Sequence, residues 1–199
     1  MRITIHNLIL IFLLVAYFSL FPSLIYASNT LHESYFIEFI TSNPCKFNCA
    51  EQVIFVVVPN SSSINAAVYV FEKQKEKWVQ IYNSLKATVG RKGIAPIGRK
   101  IEGDGRTPSG AFDVGIAFGY KSVEDTKMTY KQITENDFWI NDVDSKDYNK
   151  WVSGKPPKGS YEVMKRKDGA YRNGFVVEYN TNHIVKAKGS AIFFHVHHA

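Results

Sequence analysis

His195 is the residue in this sequence best placed to move a proton. It follows the apolar run 191–194, a pattern that predicts a buried strand ending at the protein surface. Imidazole titrates near neutral pH, so a histidine at such a position can serve as a general base. The alternative is that His195 is an inert residue at the end of a strand.

Further histidines raise a second hypothesis, a metal site. His195 and His197 are two residues apart and would share one face of a strand, with His198 and His183 as further candidate ligands. No carboxylate lies within this run to orient a ligating ring. We therefore predict no metal and no cofactor, and a histidine-rich, metal-dependent hydrolase is kept only as an alternative.

The stretch 89–120 is rich in glycine and contains the segment T-P-S-G at residues 107–110. Proline fixes φ and glycine accepts conformations that other residues avoid, so this segment predicts a tight turn. Arg106 precedes it and has a planar guanidinium suited to a carboxylate. The segment does not open a predicted helix, which argues against a phosphate-binding loop. A ligand-facing turn and a purely structural connection are both compatible with these residues.

Cys45 and Cys49 are the two cysteines of the sequence, and they precede the first strong strand. In an oxidising compartment, a C-x₃-C pair predicts a small local disulfide. A zinc site would need two more ligands, and none follows at the spacing of a zinc finger. A catalytic thiol is the other alternative, although the local sequence offers no positioned base.

The first 27 residues have the pattern of a secretory signal peptide. Arg2 is followed by the apolar stretch 8–21, then by Pro22 and by small residues near Ala27. An uncleaved anchor is the alternative, but this stretch of 14 residues is shorter than the roughly 20 that span a bilayer. We expect export to the periplasm or cell envelope, and no membrane span in the mature chain.

The net charge of +6 is unevenly distributed. Residues 146–188 contain ten Lys/Arg against four Asp/Glu, whereas residues 28–145 contain thirteen against fourteen. On an exported protein, this surplus suggests an anionic neighbour, such as membrane headgroups or cell-wall carboxylates, or simply a solvated basic surface. Aromatic residues do not alternate with these lysines, so we predict no nucleic-acid partner.

Alternating and β-branched segments predict a mostly β domain with few short helices. The run 53–58 is a candidate central strand, and 66–71 and 78–82 continue it as a meander with a charged hairpin tip at 73–77. Further predicted strands cover 86–89, 111–116, 175–179 and 190–196, whereas 121–173 is polar and irregular, with Trp139 and Trp151 as anchors. The strands carrying Val53, Val68, Ile81, Val177 and Ile192 should share one core.

Four segments in this order resemble the L,D-transpeptidase (YkuD-type) catalytic domain, in particular its exported ErfK/YbiS/YnhG-like branch. They are EGDGRTPSGAF, MTYKQITENDFWINDVDSKDYNKWV, GFVVEYNT and GSAIFFHV, and the resemblance extends from about Gln52 to His195. It implies a β-sandwich domain over residues 52–199, preceded by a leader at 28–51.

The resemblance also implies a function. Members of this family act on peptidoglycan stem peptides, at the amide between a diamino acid and a terminal D-alanine. A cysteine thiolate forms an acyl-enzyme, and an acceptor amine then resolves it. His195 matches the histidine that serves as general base. Arg106, Thr107, Pro108 and Gly110 match the motif turn, which implies substrate binding.

The sequence departs from the family in one respect. The family's nucleophilic cysteine follows the histidine by a dozen or more residues, whereas residues 196–199 contain none. We therefore expect the domain to be incomplete at its C-terminus, and the chain as it stands to lack transpeptidase activity. The alternative is a non-catalytic protein that binds the cell wall.

Overall fold

The computed structural model describes residues 8–14, 29–47, 49–122 and 126–196. Within these ranges the elements are β1 (Leu8–Leu14), α1 (Asn29–Thr41), α2 (Pro44–Phe47), β2 (Gln52–Val58), β3 (Asn65–Gln74), β4 (Lys77–Thr88), β5 (Ile94–Ala95), β6 (Thr107–Pro108), β7 (Gly110–Gly119), β8 (Tyr130–Gln132), β9 (Asp137–Ile140), β10 (Trp151–Ser153), β11 (Tyr161–Val163), β12 (Asn173–Val177) and β13 (Phe193–His195). The predicted mostly β fold with few short helices is confirmed.

One sheet of eight strands organises the molecule. Its order is β13–β12–β7–β1–β2–β3–β4, with β8 paired to β7 outside this path. Strands β10, β9 and β11 form a second sheet, and β5 pairs with β6. Val53, Val68, Ile81 and Val177 lie in strands of this one sheet, and Ile192 directly precedes its strand β13. The predicted single core is divided, because Val68, Val177 and Ile192 belong to one cluster and Val53 to another.

Strand β2 is buried on both faces, which explains its unbroken apolar sequence. Val53 and Phe55 pack with Phe36 and Ile40 of α1 on one face of the sheet. Ile54, Val56 and Val58 pack on the other face, in a cluster that also contains Val177. Side chains alternate along a strand, so both apolar sets are needed to cover the two sides.

The predicted hairpin tip at 73–77 is confirmed. Gln74 pairs with Lys77, and the two residues between them, Lys75 and Glu76, have φ values of 47° and 67°. Two consecutive positive φ angles are typical of a type I′ turn, which matches the twist of the joined strands. Strand β4 then continues to Thr88, so it includes most of the segment 86–89 that the sequence suggested as a separate strand.

The segment 28–51, expected as a leader, contains α1 and α2, and its Phe36, Ile40 and Phe47 are buried against the sheet. One other expectation is corrected: the segment 121–173, predicted to be irregular, contains four strands, β8 to β11. Trp139 and Trp151 pair across β9 and β10, so they do anchor this region.

Strand β1 lies within the predicted signal peptide. It pairs in parallel with β2 over seven residues and antiparallel with β7 over four. Residues 1–7 and 15–27 of the predicted signal lie outside the described residues. In the described part of the chain, no helix is long and apolar enough to cross a membrane.

Candidate functional site

His195 is the last residue of β13, at the edge of the large sheet. It lies opposite Gly174 of β12, and Gly174 in turn lies opposite Phe118 of β7. The imidazole is exposed. The sequence prediction of a strand that brings a titratable side chain to the surface is therefore confirmed.

Gly174 allows β7, β12 and β13 to approach closely beside His195. A Cβ atom at this position would lie 2.6 Å from the carbonyl oxygen of Phe194 and 2.7 Å from the ring of Phe118. Both distances are shorter than real Cβ contacts, so only glycine fits without a shift of the backbone. The row Phe118–Gly174–His195 is therefore rigidly packed.

The imidazole of His195 lies against a cluster of aromatic rings. Phe193 and His195 are two residues apart, so their side chains lie on the same face of β13. Both rings contact Tyr171: the centroid of its ring lies 5.4 Å from that of Phe193 and 5.2 Å from that of His195. Phe193 also packs edge-on against Phe118 and Trp139. His195 thus has one side against a buried tyrosine and the other open to solvent.

The proton position on His195 follows from its hydrogen bond. Nδ1 lies 2.9 Å from the carbonyl oxygen of Val196. A carbonyl only accepts, so in the neutral ring Nδ1 donates the proton and Nε2 keeps a free lone pair. This tautomer can accept a proton at Nε2.

Three charged side chains, Arg166, Asp168 and Glu162, lie near Tyr171. The guanidinium of Arg166 lies 5.2 Å over the Tyr171 ring, pairs with Asp168, and has Glu162 at 3.5 Å. Burial raises the pKa of the Tyr171 phenol, and the nearby Glu162 carboxylate raises it further. Tyr171 is therefore neutral at physiological pH, and it supports His195 by packing.

Two further cations lie at this end of the sheet. Lys165 places its ammonium 4.3 Å over the ring of Tyr120, whose hydroxyl donates to the carbonyl of Arg166 at 3.0 Å. Arg172 is exposed one residue before β12. Arg166 is paired with Asp168 and Glu162, so Lys165 and Arg172 are the cations here that suit a carboxylate-bearing ligand.

The prediction of a turn at 107–110 is wrong, because Thr107 and Pro108 pair with β5 as strand β6 and Gly110 begins β7. The polar groups of this segment bind other parts of the chain. Thr107 Oγ1 accepts from the N–H of Gly90 at 2.9 Å, and Ser109 Oγ donates to the carbonyl of Ala95 at 2.6 Å. Arg106 donates from its guanidinium to the carbonyl of Ile94 at 3.0 Å. Pro108 is buried in β6, and Gly110 has a φ of 144° at the start of β7.

The structure places residues 107–110 and His195 at the levels of opposite ends of β7. Gly110 begins β7, whereas Phe118, in the row of His195, lies eight residues further along it. At about 3.4 Å per residue the separation along β7 is about 27 Å. Both β7–β12 and β12–β13 are antiparallel pairs, so β13 runs in the direction of β7 and carries His195 away from residues 107–110.

A polar network that the sequence did not reveal holds the segment leading into β13. Ser190 Oγ and Tyr148 Oη both donate to Glu102 Oε2, at 2.7 and 2.5 Å, and the N–H of Gly189 donates to Tyr148 Oη. Burial and the adjacent Glu102 carboxylate raise the pKa of the Tyr148 phenol. No local pattern signals this network, because its members are far apart in the sequence.

Asn149 completes the attachment of this segment. Its Oδ1 accepts from Trp139 Nε1 at 2.9 Å and from the N–H of Ala191 at 3.0 Å. Its Nδ2 donates to the carbonyls of Tyr179 and Asn180. Asn149 is 2% exposed, so all four bonds form in the interior. Ala191, with a φ of 53°, is thereby held in the left-handed region just before β13.

Asp137 is a buried carboxylate with five polar partners. It accepts hydrogen bonds from Ser153, Trp151 and both the N–H and hydroxyl of Thr134, and it pairs with Lys131 at 3.0 Å. Burial alone would raise its pKa, but these hydrogen bonds outweigh it and hold the pKa well below the usual range. Asp137 remains ionised at neutral pH, which indicates a structural role.

Cys45 and Cys49 are free and exposed, so the predicted disulfide is not present in the structure. Cys45 lies in α2, whose Phe47 packs with α1 and β2, whereas Phe193 beside His195 belongs to a separate core cluster. Neither thiol belongs to the surroundings of His195. Oxidation of the pair in the exported protein stays a prediction.

The alternative metal site gains no support from the described residues. His183 is exposed in the loop before β13, and His197 and His198 lie outside the described residues. In the ranges that the structure covers, no group of three His, Cys, Asp or Glu side chains is arranged to hold a metal ion.

Comparisons with known proteins identify no relative: no family model, no curated protein and no solved structure matches the chain.

Proposed function

We propose that this chain is an exported, L,D-transpeptidase-like protein that binds peptidoglycan stem peptides, with His195 in the position of the general base. The proposal rests on the four sequence segments, and on one observation. His195 is exposed at the end of β13, and its Nδ1 proton is directed to the carbonyl oxygen of Val196. This leaves Nε2 free to accept a proton.

The basic surroundings of His195 suit the proposed ligand. Stem peptides end in carboxylates, and Lys165 and Arg172 lie at the same end of the sheet. Residues 107–110 lie about 27 Å away along β7. We therefore place the stem-peptide site at His195, and assign Arg106, Thr107, Pro108 and Gly110 to shaping the fold around the other end of β7.

Acyl transfer requires a nucleophile within hydrogen-bond reach of the base. Residues 1–199 contain only Cys45 and Cys49, and both lie in or beside α2. The location of both thiols in or beside α2 favours, as the second candidate, a wall-binding protein that does not catalyse transfer. The two candidates share the same ligand and differ in covalent chemistry.

Binding tests the shared part of the proposal. A soluble tetrapeptide muropeptide is titrated into the isotope-labelled chain, and amide shifts are followed by NMR. We expect shifts at His195, Gly174 and Tyr171, and weaker binding in His195→Ala than in the matched control His183→Ala. The absence of binding, or shifts confined to other regions, would exclude this site.

Covalent chemistry separates the two candidates. After incubation with a thiol-reactive β-lactam, we expect the intact mass of the chain to stay unchanged, because His195 has no thiol partner within residues 1–199. An acyl adduct that disappears in His195→Ala would overturn this expectation and would direct attention to Cys45 and Cys49.

A further inference from the structure

Four turns lie together at the end of the large sheet opposite His195. They are residues 60–64, 90–93, 96–101 and 185–188, and we call them the turn face. Hydrogen bonds link them: Ile94 N–H donates to Ser61 O, Lys92 N–H to Gly105 O, and Glu102 N–H to Ala187 O. The turn face is therefore one connected surface.

Aliphatic side chains project from each part of this surface except 90–93. Ile97 is 80% exposed, and Ile101, Val185 and Ile64 are 54%, 53% and 47% exposed. Single exposed apolar residues are common, but a group on linked turns indicates a surface that contacts an apolar phase or partner. None of these four residues is needed for the core clusters described above.

Cations surround the same side chains. Arg91, Lys92, Arg99, Lys186 and Lys188 are all exposed. Among the described residues, none of these five forms an ion pair with a carboxylate. Lys186 donates only to the backbone carbonyl of Asp144, at 3.3 Å.

The acidic side chains of Glu102 and Asp104, which directly follow one of these turns, are bound within the protein. Asp104 pairs with Lys100 at 2.8 Å, with both side chains largely buried. Burial would raise the pKa of Asp104, but the bonds from Lys100 and from the N–H groups of Arg106 and Ile101 lower it. Glu102 accepts from Tyr148 and Ser190. The exposed charged side chains within the turn face are therefore all positive, and Asp144, which is exposed beside Lys186, is the neighbouring carboxylate.

We propose that the turn face docks on the surface of an anionic phospholipid bilayer. Exposed cations bind lipid phosphates, and aliphatic side chains at turn tips enter the headgroup region. A polyanion without an apolar phase, such as a nucleic acid or a wall polymer, would use the cations but leave the four aliphatic side chains in water. The combination favours lipid.

Docking in this orientation has a geometric consequence. The turn face lies at the Gly110 end of β7 and His195 at the Phe118 end, about 27 Å away. The bilayer would then hold His195 pointing away from the lipid surface. This inference does not depend on the proposed function of His195.

Vesicle sedimentation tests the proposal with the full chain. Vesicles of phosphatidylcholine are compared with vesicles containing phosphatidylglycerol. We expect binding only to the anionic vesicles, and about a 25-fold loss in Arg99→Ala/Lys188→Ala, since each cation near such a surface contributes about fivefold. Ile97→Ser/Val185→Ser should lose about tenfold or more.

The controls lie at the opposite end of the sheet. Lys75→Ala/Lys77→Ala removes two exposed cations from the β3–β4 hairpin, and Val79→Ser removes an exposed aliphatic side chain from β4. These variants should bind the vesicles as the parent does. Because every variant retains residues 1–27, comparing the variants with one another also cancels any contribution of those residues to binding. Thermal unfolding checks that every variant is folded.

Two outcomes would overturn the proposal. One is equal loss of vesicle binding in the turn-face and control variants, since binding would then depend on general charge. The other outcome concerns a soluble polyanion such as heparin: it would compete fully with the vesicles for the protein, and the variant Ile97→Ser/Val185→Ser would bind it as the parent does. The aliphatic side chains would then have no part in recognition.

Discussion

Asn149 Oδ1 accepts a hydrogen bond from the N–H of Ala191 at 3.0 Å, across 42 residues of sequence. This bond fixes the residue at which the chain turns, with a positive φ, into the strand that ends at His195. The position of the candidate base therefore depends on an amide side chain in a distant loop.

Replacing Asn149 with alanine should lower the free energy of unfolding by about 3 kcal/mol, because several buried backbone and indole groups lose their partners. Urea denaturation measures this loss. Asn182→Ala, at an exposed position in the loop before β13, is the control and should change stability by less than about 0.5 kcal/mol. Equal effects in the two variants would refute the role of Asn149.

Asp137 should make the stability of the protein depend on acid pH. Its pKa is held below the unfolded value of about 3.9, so its contribution is present above that pH and is lost as the pH falls through the folded value. Asp137→Asn should be less stable by about 3 kcal/mol at pH 7, with a shallower decline below pH ~4. Asp104, whose pKa is also lowered, should account for the dependence of stability on pH that remains in this variant.

Denaturation curves from pH 2 to pH 7 measure this dependence. The control is Asp144→Asn, which changes an exposed carboxyl and should leave stability within about 0.5 kcal/mol. If the free energy of unfolding falls with pH as steeply in Asp137→Asn as in the parent, other carboxyl groups account for acid unfolding.

Removal of residues 1–27 should weaken the centre of the sheet. Strand β1 pairs with both β2 and β7, so its loss leaves two strand edges unpaired. Hydrogen exchange should become faster in peptides from β2 and β7 than in the full chain. Ile11→Pro, which removes a donor within β1 at constant length, should shift exchange in the same direction.

Unchanged exchange in both variants would show that β1 adds nothing to the sheet. Peptides from β9 to β11 serve as the internal reference, because these strands form a separate sheet. Their exchange should stay the same in all three proteins.

The two cysteines should be reactive when reduced and paired when exported. Both thiols are exposed in the structure, so a thiol reagent should label two groups in protein prepared with reductant. Protein recovered from the cell envelope should show none until it is reduced, because an oxidising compartment favours the local disulfide. Two free thiols in the exported form would contradict the pairing.

Local sequence patterns were sufficient for several features of this protein. The β-branched run of β2, the charged hairpin tip and the apolar run before His195 depend on side chains within a few residues of one another. Such short-range preferences predict that a strand exists and which residue ends it. They failed at 107–110, where proline and glycine favoured a turn but Thr107 and Pro108 instead pair with a strand that lies 13 residues earlier in the sequence.

Tertiary structure alone decided how these pieces are arranged. Whether His195 meets residues 107–110 depends on the direction in which β13 pairs with β12, and the chain between these strands contains no local signal for it. The bond from Ser190 to Glu102 spans 88 residues, and the one from Asn149 to Ala191 spans 42. Because these contacts join segments that are distant in sequence, only the packed fold places His195 at the opposite end of β7 from residues 107–110.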